Sequence, residues 1–374
     1  MPRISQSILC AIVAPLLGVL TLLFVLALLT RPPAHARPQA PFLGETRSPC
    51  LSTDAVGAPL PRVRCALPYT ATIYAQGLSS PDGLAFSPSG VLHVAEEAAG
   101  RVSQIGPTGT FTPVVTGLAN PEGIAFDDAG NLYVVEDVQA GRLVKALPGG
   151  ATATLATGLE APEGLVWSSD DLLYVTESNV QFATRVADLR TRVAAVSASG
   201  AVTRLITRTP TVQGAEITCW SYAGLALGPG GLLYVTNELS GREEPFPVIP
   251  GVLTLTLSAD DSILVVDPAT GTQALFASGL VSPEGLRFSP TGDFPLVVAE
   301  EDVGGGMGRL SQVEADGSHA PLCTGFLDIE DVAVDPSSRL YVSEDASGLV
   351  IQISPTPARY ELLLPVVIRR RPDR

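Results

Sequence analysis

The chain has 374 residues, with 23 Lys and Arg against 38 Asp and Glu, a formal net charge of −15. A nucleic-acid binder needs a basic face, so this balance argues against one and suits cation binding or simple solubility. Abundant Gly (36) and Pro (32) with only 6% aromatics fit one large all-β domain.

The first element is the uncharged run "ILCAIVAPLLGVLTLLFVLALLT", residues 8–30, followed by "RPPAHARPQAP". It is long enough for a hydrophobic helix that spans a bilayer, at about 20 residues. Ala34-His35-Ala36 is also a small-x-small cleavage site. Residues 1–36 are therefore expected to be a signal peptide or a membrane anchor. Either one makes the remainder secreted or membrane-anchored, and extracytoplasmic, with membrane contact only through that helix. Cys10 lies in the run. Cys50, Cys65, Cys219 and Cys323 then face an oxidising compartment. Cys50 and Cys65 share the Pro-rich linker 37–68 and can close a small loop, although spacing alone does not fix the pairing.

Next come "YTATIYAQGL" and six copies of one sentence. These are "GLSSPDGLAF" from Gly77, "GLANPEGIAF" from Gly117, "GLEAPEGLVW" from Gly158, a degenerate "CWSYAGLAL" from Cys219, "GLVSPEGLRF" from Gly279 and "GFLDIEDVAV" from Gly325. The glycine after the acid falls at 83, 123, 164, 224 and 285, with Asp331 in its place at the end. Each copy continues through a turn such as "SPSG" or "DDAG", a second strand such as "NLYVVE", and usually a third opening on Gly ("GRLVKA") and a fourth ("FTPVVTGL"). Four short strands repeating at about 40 residues predict a β-propeller. The expected fold is a six-bladed β-propeller of four-stranded antiparallel blades over residues 69–354. Tyr69–Leu78 has no blade before it and should complete the sixth blade as its fourth strand, closing the ring without an open edge.

In such a ring the loop entering the first strand and the loop leaving the second share one rim. An inner ring of acids is expected from Asp82, Glu122, Glu163, Glu284 and Glu330, with Ala223 in blade 4. An outer ring is expected from Glu96, Glu136, Glu177, Asn237 or Glu238, Glu300 and Glu344. The repeated glycine suits an axis too crowded for a side chain. Two carboxylates about 6 Å apart at an effective dielectric near 20 repel by about 3 kcal/mol. Five converging on one mouth need a cation or backbone N–H groups, and Ca²⁺ comes before Mg²⁺ for oxygen-only ligands. The plainer alternative is a structural role, strongest for the outer ring, in which each acid accepts backbone N–H bonds.

The repeat "P-E-G-[LI]-x-F … G-x-L-Y-V-x-E … G-R" resembles the NHL repeat and the SMP-30/gluconolactonase group of six-bladed propellers over residues 69–353. That resemblance implies a channel Ca²⁺ held at the starts of inner strands, matching Asp82, Glu122, Glu163, Glu284 and Glu330. The family mixes Asn with acids, whereas this chain is acidic at every position but blade 4. The hairpins are also similar to those of PQQ-dependent sugar dehydrogenases, whose chemistry wants a channel histidine.

Only three His occur, at 35, 93 and 319, which argues against a Ser-His-Asp system. His93 stands where other second strands carry Tyr and is expected to be packed. No His/Cys cluster has zinc spacing, and "GGGMG" at 304–308 lacks a following helix, so it reads as a loop. No catalytic residue is assigned. Insertions follow the second strands of blades 3, 4 and 5, on the acidic rim. There Trp220, Tyr222, Phe182 and Phe246, with Asn237 and Glu238, are candidates to wall a ligand pocket, or simply pack as loops. Residues 355–374 are expected to form an added strand and a basic tail. Two functions are open. One is an extracytoplasmic, monomeric binding scaffold taking a small-molecule or protein ligand at its acidic rim. The other is a metal-dependent hydrolase of lactones or esters.

Overall fold

The computed structural model describes residues 55–183, 186–213, 216–238, 256–258, 261–301, 303–304 and 306–355. The expected leader helix, Cys50, Phe246 and the tail from residue 356 lie outside them. The described residues build a six-bladed propeller whose blades are antiparallel sheets. The six innermost strands are Pro81–Phe86, Pro121–Phe126, Pro162–Ser168, Tyr222–Leu227, Pro283–Arg287 and Ile329–Val334. Each touches the next all the way round, including blade 6 against blade 1.

The seam closes as the repeats predict. Tyr69–Gln76 pairs with Leu349–Pro355, so the first long strand is the fourth strand of the last blade. The chain start does more than this. Arg64–Cys65 adds a fifth strand to blade 5 beside His319–Phe326, and Cys65 forms a disulfide with Cys323 across that pairing. Cys65 therefore does not pair with its linker neighbour Cys50. A partner 258 residues away in sequence is brought to it by ring closure. Cys219 is a buried free thiol.

Six hydrophobic clusters hold the ring, one between each pair of neighbouring blades. The second strand of every blade is covered on both faces, and for that reason its residues are apolar without alternation. The repeated aromatics meet across these seams. Tyr341 of blade 6 meets Phe86 of blade 1 edge-on at 5.3 Å, and Tyr234 of blade 4 meets Phe288 of blade 5 at 5.0 Å. His93 takes the tyrosine position against Phe126 at 4.8 Å. It is buried, its Nδ1 lies 3.0 Å from the Val91 carbonyl, and burial pulls its pKa down.

The repeated glycine has a direct cause. A Cβ on Gly83 would run into the carbonyl oxygen of Glu122, one on Gly123 into that of Glu163, and one on Gly224 into that of Glu284. Each inner strand thus leaves no room beside the next blade's inner acid. At the last seam, Asp331 occupies the space instead. Its carboxylate accepts the Leu84 amide of blade 1 at 2.9 Å and an Arg287 bond at 3.1 Å.

The link before blade 4 and part of its insertion make a small separate sheet. In it Thr211–Gln213 pairs with Glu216–Thr218, which runs parallel to Thr256–Ser258.

Candidate functional site

The outer acids are built into the frame. Each carboxylate is fully or almost fully buried and accepts the amide of the strand-entry loop seventeen to nineteen residues earlier. The bonds are Ser79 N to Glu96 at 3.1 Å, Ala119 N to Glu136 at 3.1 Å, Glu160 N to Glu177 at 2.8 Å and Val281 N to Glu300 at 2.8 Å. Leu327 N does the same for Glu344 at 2.6 Å. In blade 4, Asn237 Oδ1 takes the Ser221 amide at 3.0 Å. The arginine of the "GR" motif closes the charge: Arg101 on Glu96, Arg142 on Glu136 and Arg309 on Glu300, each through two bonds. Blade 6 has no such arginine in its third strand. Arg62, from the chain start, pairs with Glu344 instead.

The inner acids behave differently. Asp82, Glu122, Glu163, Glu284 and Glu330 converge on one end of the channel and line a chamber of about 330 Å³. Of a second set there, sequence reasoning named only Glu238. The residue after the outer position lines the chamber in four blades, as Glu97, Asp137, Glu238 and Glu301. One hydrogen bond repeated in all six copies aims this position. Its amide donates to the carbonyl of the residue before each inner strand: Glu97 to Ser80, Asp137 to Asn120, Ser178 to Ala161, Glu238 to Ser221, Glu301 to Ser282 and Asp345 to Asp328, at 2.8–3.1 Å. Five of those acceptors hold positive φ between 39° and 58°. The acid doublets Glu96-Glu97, Glu136-Asp137, Glu300-Glu301 and Glu344-Asp345 carried the signal. In a pleated strand the second member points away from the first.

Asn120, Gln181, Asp331 and Arg287 also line it, and Arg287 is its only cation among the described residues. Burial is the first cause that pushes Asp82, Glu122, Glu284 and Glu330 well above the ordinary carboxylate range. Neighbouring carboxylates add to it: Glu97 beside Asp82, Asp137 beside Glu122, Glu238 beside Glu284 and Asp82 beside Glu330. Burial likewise raises Glu97. Two sets of oxygens come within 4.8 Å of one another, Glu238 with Glu284 and Glu301, and Glu301 with Asp328 and Glu330. They share Glu301 on the blade 4–5–6 side of the chamber.

The remaining sequence candidates lie elsewhere. Tyr222 is fully buried between blades 3 and 4, and Trp220 packs partly into the same cluster with Arg208 4.6 Å over its ring. Burial pushes the Tyr222 hydroxyl up to about 12. Asn237 is a frame residue, and Phe182 closes a turn through its amide on Asn179. None of these four lines the chamber, whereas Glu238 does.

No family model and no curated protein matches this sequence. Solved structures match the fold. The gluconolactonase of Xanthomonas campestris superposes with a TM-score of 0.57 at 15% identity, covering 76% of this chain and 89% of that one. A carbohydrate-active enzyme of Trichoderma reesei in a calcium structure gives 0.53 at 12%, covering 80% and 98%. A streptogramin B lyase gives 0.52 at 12%, covering 78% and 99%. Gluconolactonases and such lyases thus share the propeller architecture with this chain, at identities that speak for fold alone.

Proposed function

We propose that this protein is an extracytoplasmic propeller that binds a divalent cation, Ca²⁺ first, in its acidic chamber and uses it to hold an oxygen-rich small molecule. The observation that carries the reading is the pair of carboxylate triads sharing Glu301. Every donor is a hard oxygen, with no His or Cys in the chamber lining among the described residues, the set that suits Ca²⁺ or Mg²⁺ rather than zinc. Glu238, Glu284, Glu301 and Glu330 would hold the ion. Asp82, Glu122 and Glu163, on the opposite arc, would bound the ligand. The chamber volume fits a ligand of small-molecule size.

A second reading, a hydrolase of lactones or esters, is favoured by Glu122. Its raised pKa lets a carboxyl give or take a proton nearer neutral pH than an ordinary glutamate. A bound cation would supply polarisation of the ester carbonyl. The shared architecture with a gluconolactonase agrees with this reading.

Isothermal titration of chelator-treated protein with CaCl₂ tests the binding. Saturable heat that disappears in Glu284→Gln supports it, and absence of heat in the parent refutes it. Titrant consumption in a pH-stat with a small lactone separates the two readings. Calcium-dependent acid release identifies a hydrolase. Ligand binding without turnover identifies a binding protein. N-terminal sequencing of the exported protein tests localisation, with Arg37 as the first residue if the leader is cleaved and Met1 retained in membranes if it is an anchor.

A further inference from the structure

The seam between blades 1 and 2 departs from the repeat at the end of the ring away from the acids. In blades 2 and 6 the second-strand tyrosine reaches the aspartate that opens the hairpin turn, Tyr133 to Asp127 at 3.0 Å and Tyr341 to Asp335 at 3.4 Å. Both members are exchanged in blade 1, where His93 stands for the tyrosine and Ser87 for the aspartate. An imidazole is shorter than a phenol, and a serine is shorter than an aspartate. The room that a hydroxyl and a carboxylate fill elsewhere is therefore left open. A cleft of about 380 Å³ lies there, walled by Val114, Phe126, Leu132 and Pro148, with Ser87, Ser89 and His93 as polar groups. A carbonyl can only accept, so the 3.0 Å contact of Nδ1 with Val91 fixes the Nδ1–H tautomer of His93. Burial pulls its pKa down and keeps the ring neutral at neutral pH. Nε2 then carries a lone pair and makes no hydrogen bond among the described residues, although His93 is only 7% exposed. With Nδ1 turned back to its own strand, Nε2 is the nitrogen left to face the cleft.

We propose that this cleft is a binding site for a small phenol, whose hydroxyl donates to His93 Nε2 while its ring lies among Val114, Phe126 and Leu132. The bound hydroxyl takes the place that the tyrosine hydroxyl holds in blades 2 and 6. The volume is that of a small-molecule site, and apolar walls with one oriented acceptor fix an aromatic ring by its single polar handle. The neutral phenol is the form bound, because a phenolate has no proton to give to a lone pair. Gly149 and Gly150 leave the mouth open at the edge of blade 2, since an added Cβ on either would meet nothing within 4 Å. No residue lines both this cleft and the acidic chamber, so the site is independent of the cation.

The test uses the full chain with 4-methylphenol, and toluene as the probe that lacks the hydroxyl. Saturation-transfer NMR measures binding, and the long-range proton–nitrogen spectrum of the imidazoles reads His93 directly. 4-Methylphenol should bind saturably and shift the His93 Nε2 signal upfield, as an acceptor that gains a hydrogen bond, while His319 stays unmoved. Toluene should bind roughly tenfold more weakly, the worth of one buried hydrogen bond. His93→Tyr puts back the residue that blades 2, 3, 4 and 6 carry as Tyr133, Tyr174, Tyr234 and Tyr341. It fills the cleft with its own phenol and should abolish binding. Ala146→Leu fills the same space from the blade 2 wall with His93 in place and should act alike, which guards against one variant failing to fold. No saturable binding of 4-methylphenol in the parent overturns the proposal. Equal affinity for toluene also overturns it, as does binding that survives His93→Tyr.

Discussion

Glu284→Gln removes one charge from the centre of a triad while keeping its shape. The oxygens of Glu238, Glu284 and Glu301 lie within 4.8 Å of one another. At an effective dielectric near 20, a pair of full charges at that distance repels by about 3 kcal/mol. Protonation already relieves part of this, since burial and Glu238 push Glu284 well above the ordinary range. The relief on substitution is thus about 1–3 kcal/mol, which for a domain of this size raises Tm by roughly 2–4 °C per kcal/mol. In the parent, calcium at a hundredfold excess over Kd should add about 2.7 kcal/mol, and the variant should lose most of that gain. The pH dependence follows the same charges. A carboxyl whose folded pKa is raised holds its proton in the native state after the unfolded chain has released it. Metal-free stability therefore falls as pH climbs from about 4.3, the unfolded glutamate value, toward the raised folded value. The variant should flatten that slope. Calorimetric melts in chelator and in millimolar CaCl₂, from pH 4 to pH 8, read all three effects. The reasoning is falsified if calcium leaves the parent's Tm unchanged and Glu284→Gln lowers it in chelator.

The frame residues should behave in the opposite sense. Glu300→Ala strands Arg309 and the Val281 amide beside a buried site and should cost about 3–5 kcal/mol in denaturant melts; a calcium affinity lost in step with that stability would contradict the division into frame and chamber. Gly123→Ala drives a methyl into the Glu163 carbonyl and to 2.9 Å from the Leu165 amide. It should destabilise by about 1–3 kcal/mol or more, and a neutral result would show that adjacent blades can part freely. Replacing Cys65 and Cys323 by Ser opens a loop of 258 residues and should cost up to about 5 kcal/mol, measured as the shift in urea midpoint between oxidised parent and variant.

The repeat alone determined much of this molecule. Four strands at about 40-residue spacing, an orphan strand at Tyr69 and a glycine after each inner acid are local or periodic features, and they fix blade number, closure and the rim on which the acids gather. The acids themselves were legible as two rings, because each sits at a set point of the repeat. Their division of labour was not. Whether a carboxylate is a peg or a ligand depends on what approaches it from another blade. Only the folded ring brings Arg62 to Glu344 and Cys65 to Cys323, pairs separated by 282 and 258 residues. Of the inward set, Glu97, Asp137 and Glu301 were visible as the second members of acid doublets and Glu238 followed Asn237, but their direction is decided by a hydrogen bond to the residue before the inner strand, which is left-handed for all but Glu238. Trp220 and Tyr222 were read as a pocket wall because they interrupt the repeat. The structure packs them between blades 3 and 4, because burying large rings gains more than exposing them at a charged mouth. Sequence periodicity specifies which positions are equivalent, and the environment that makes equivalent carboxylates unequal arises only when distant strands close the ring.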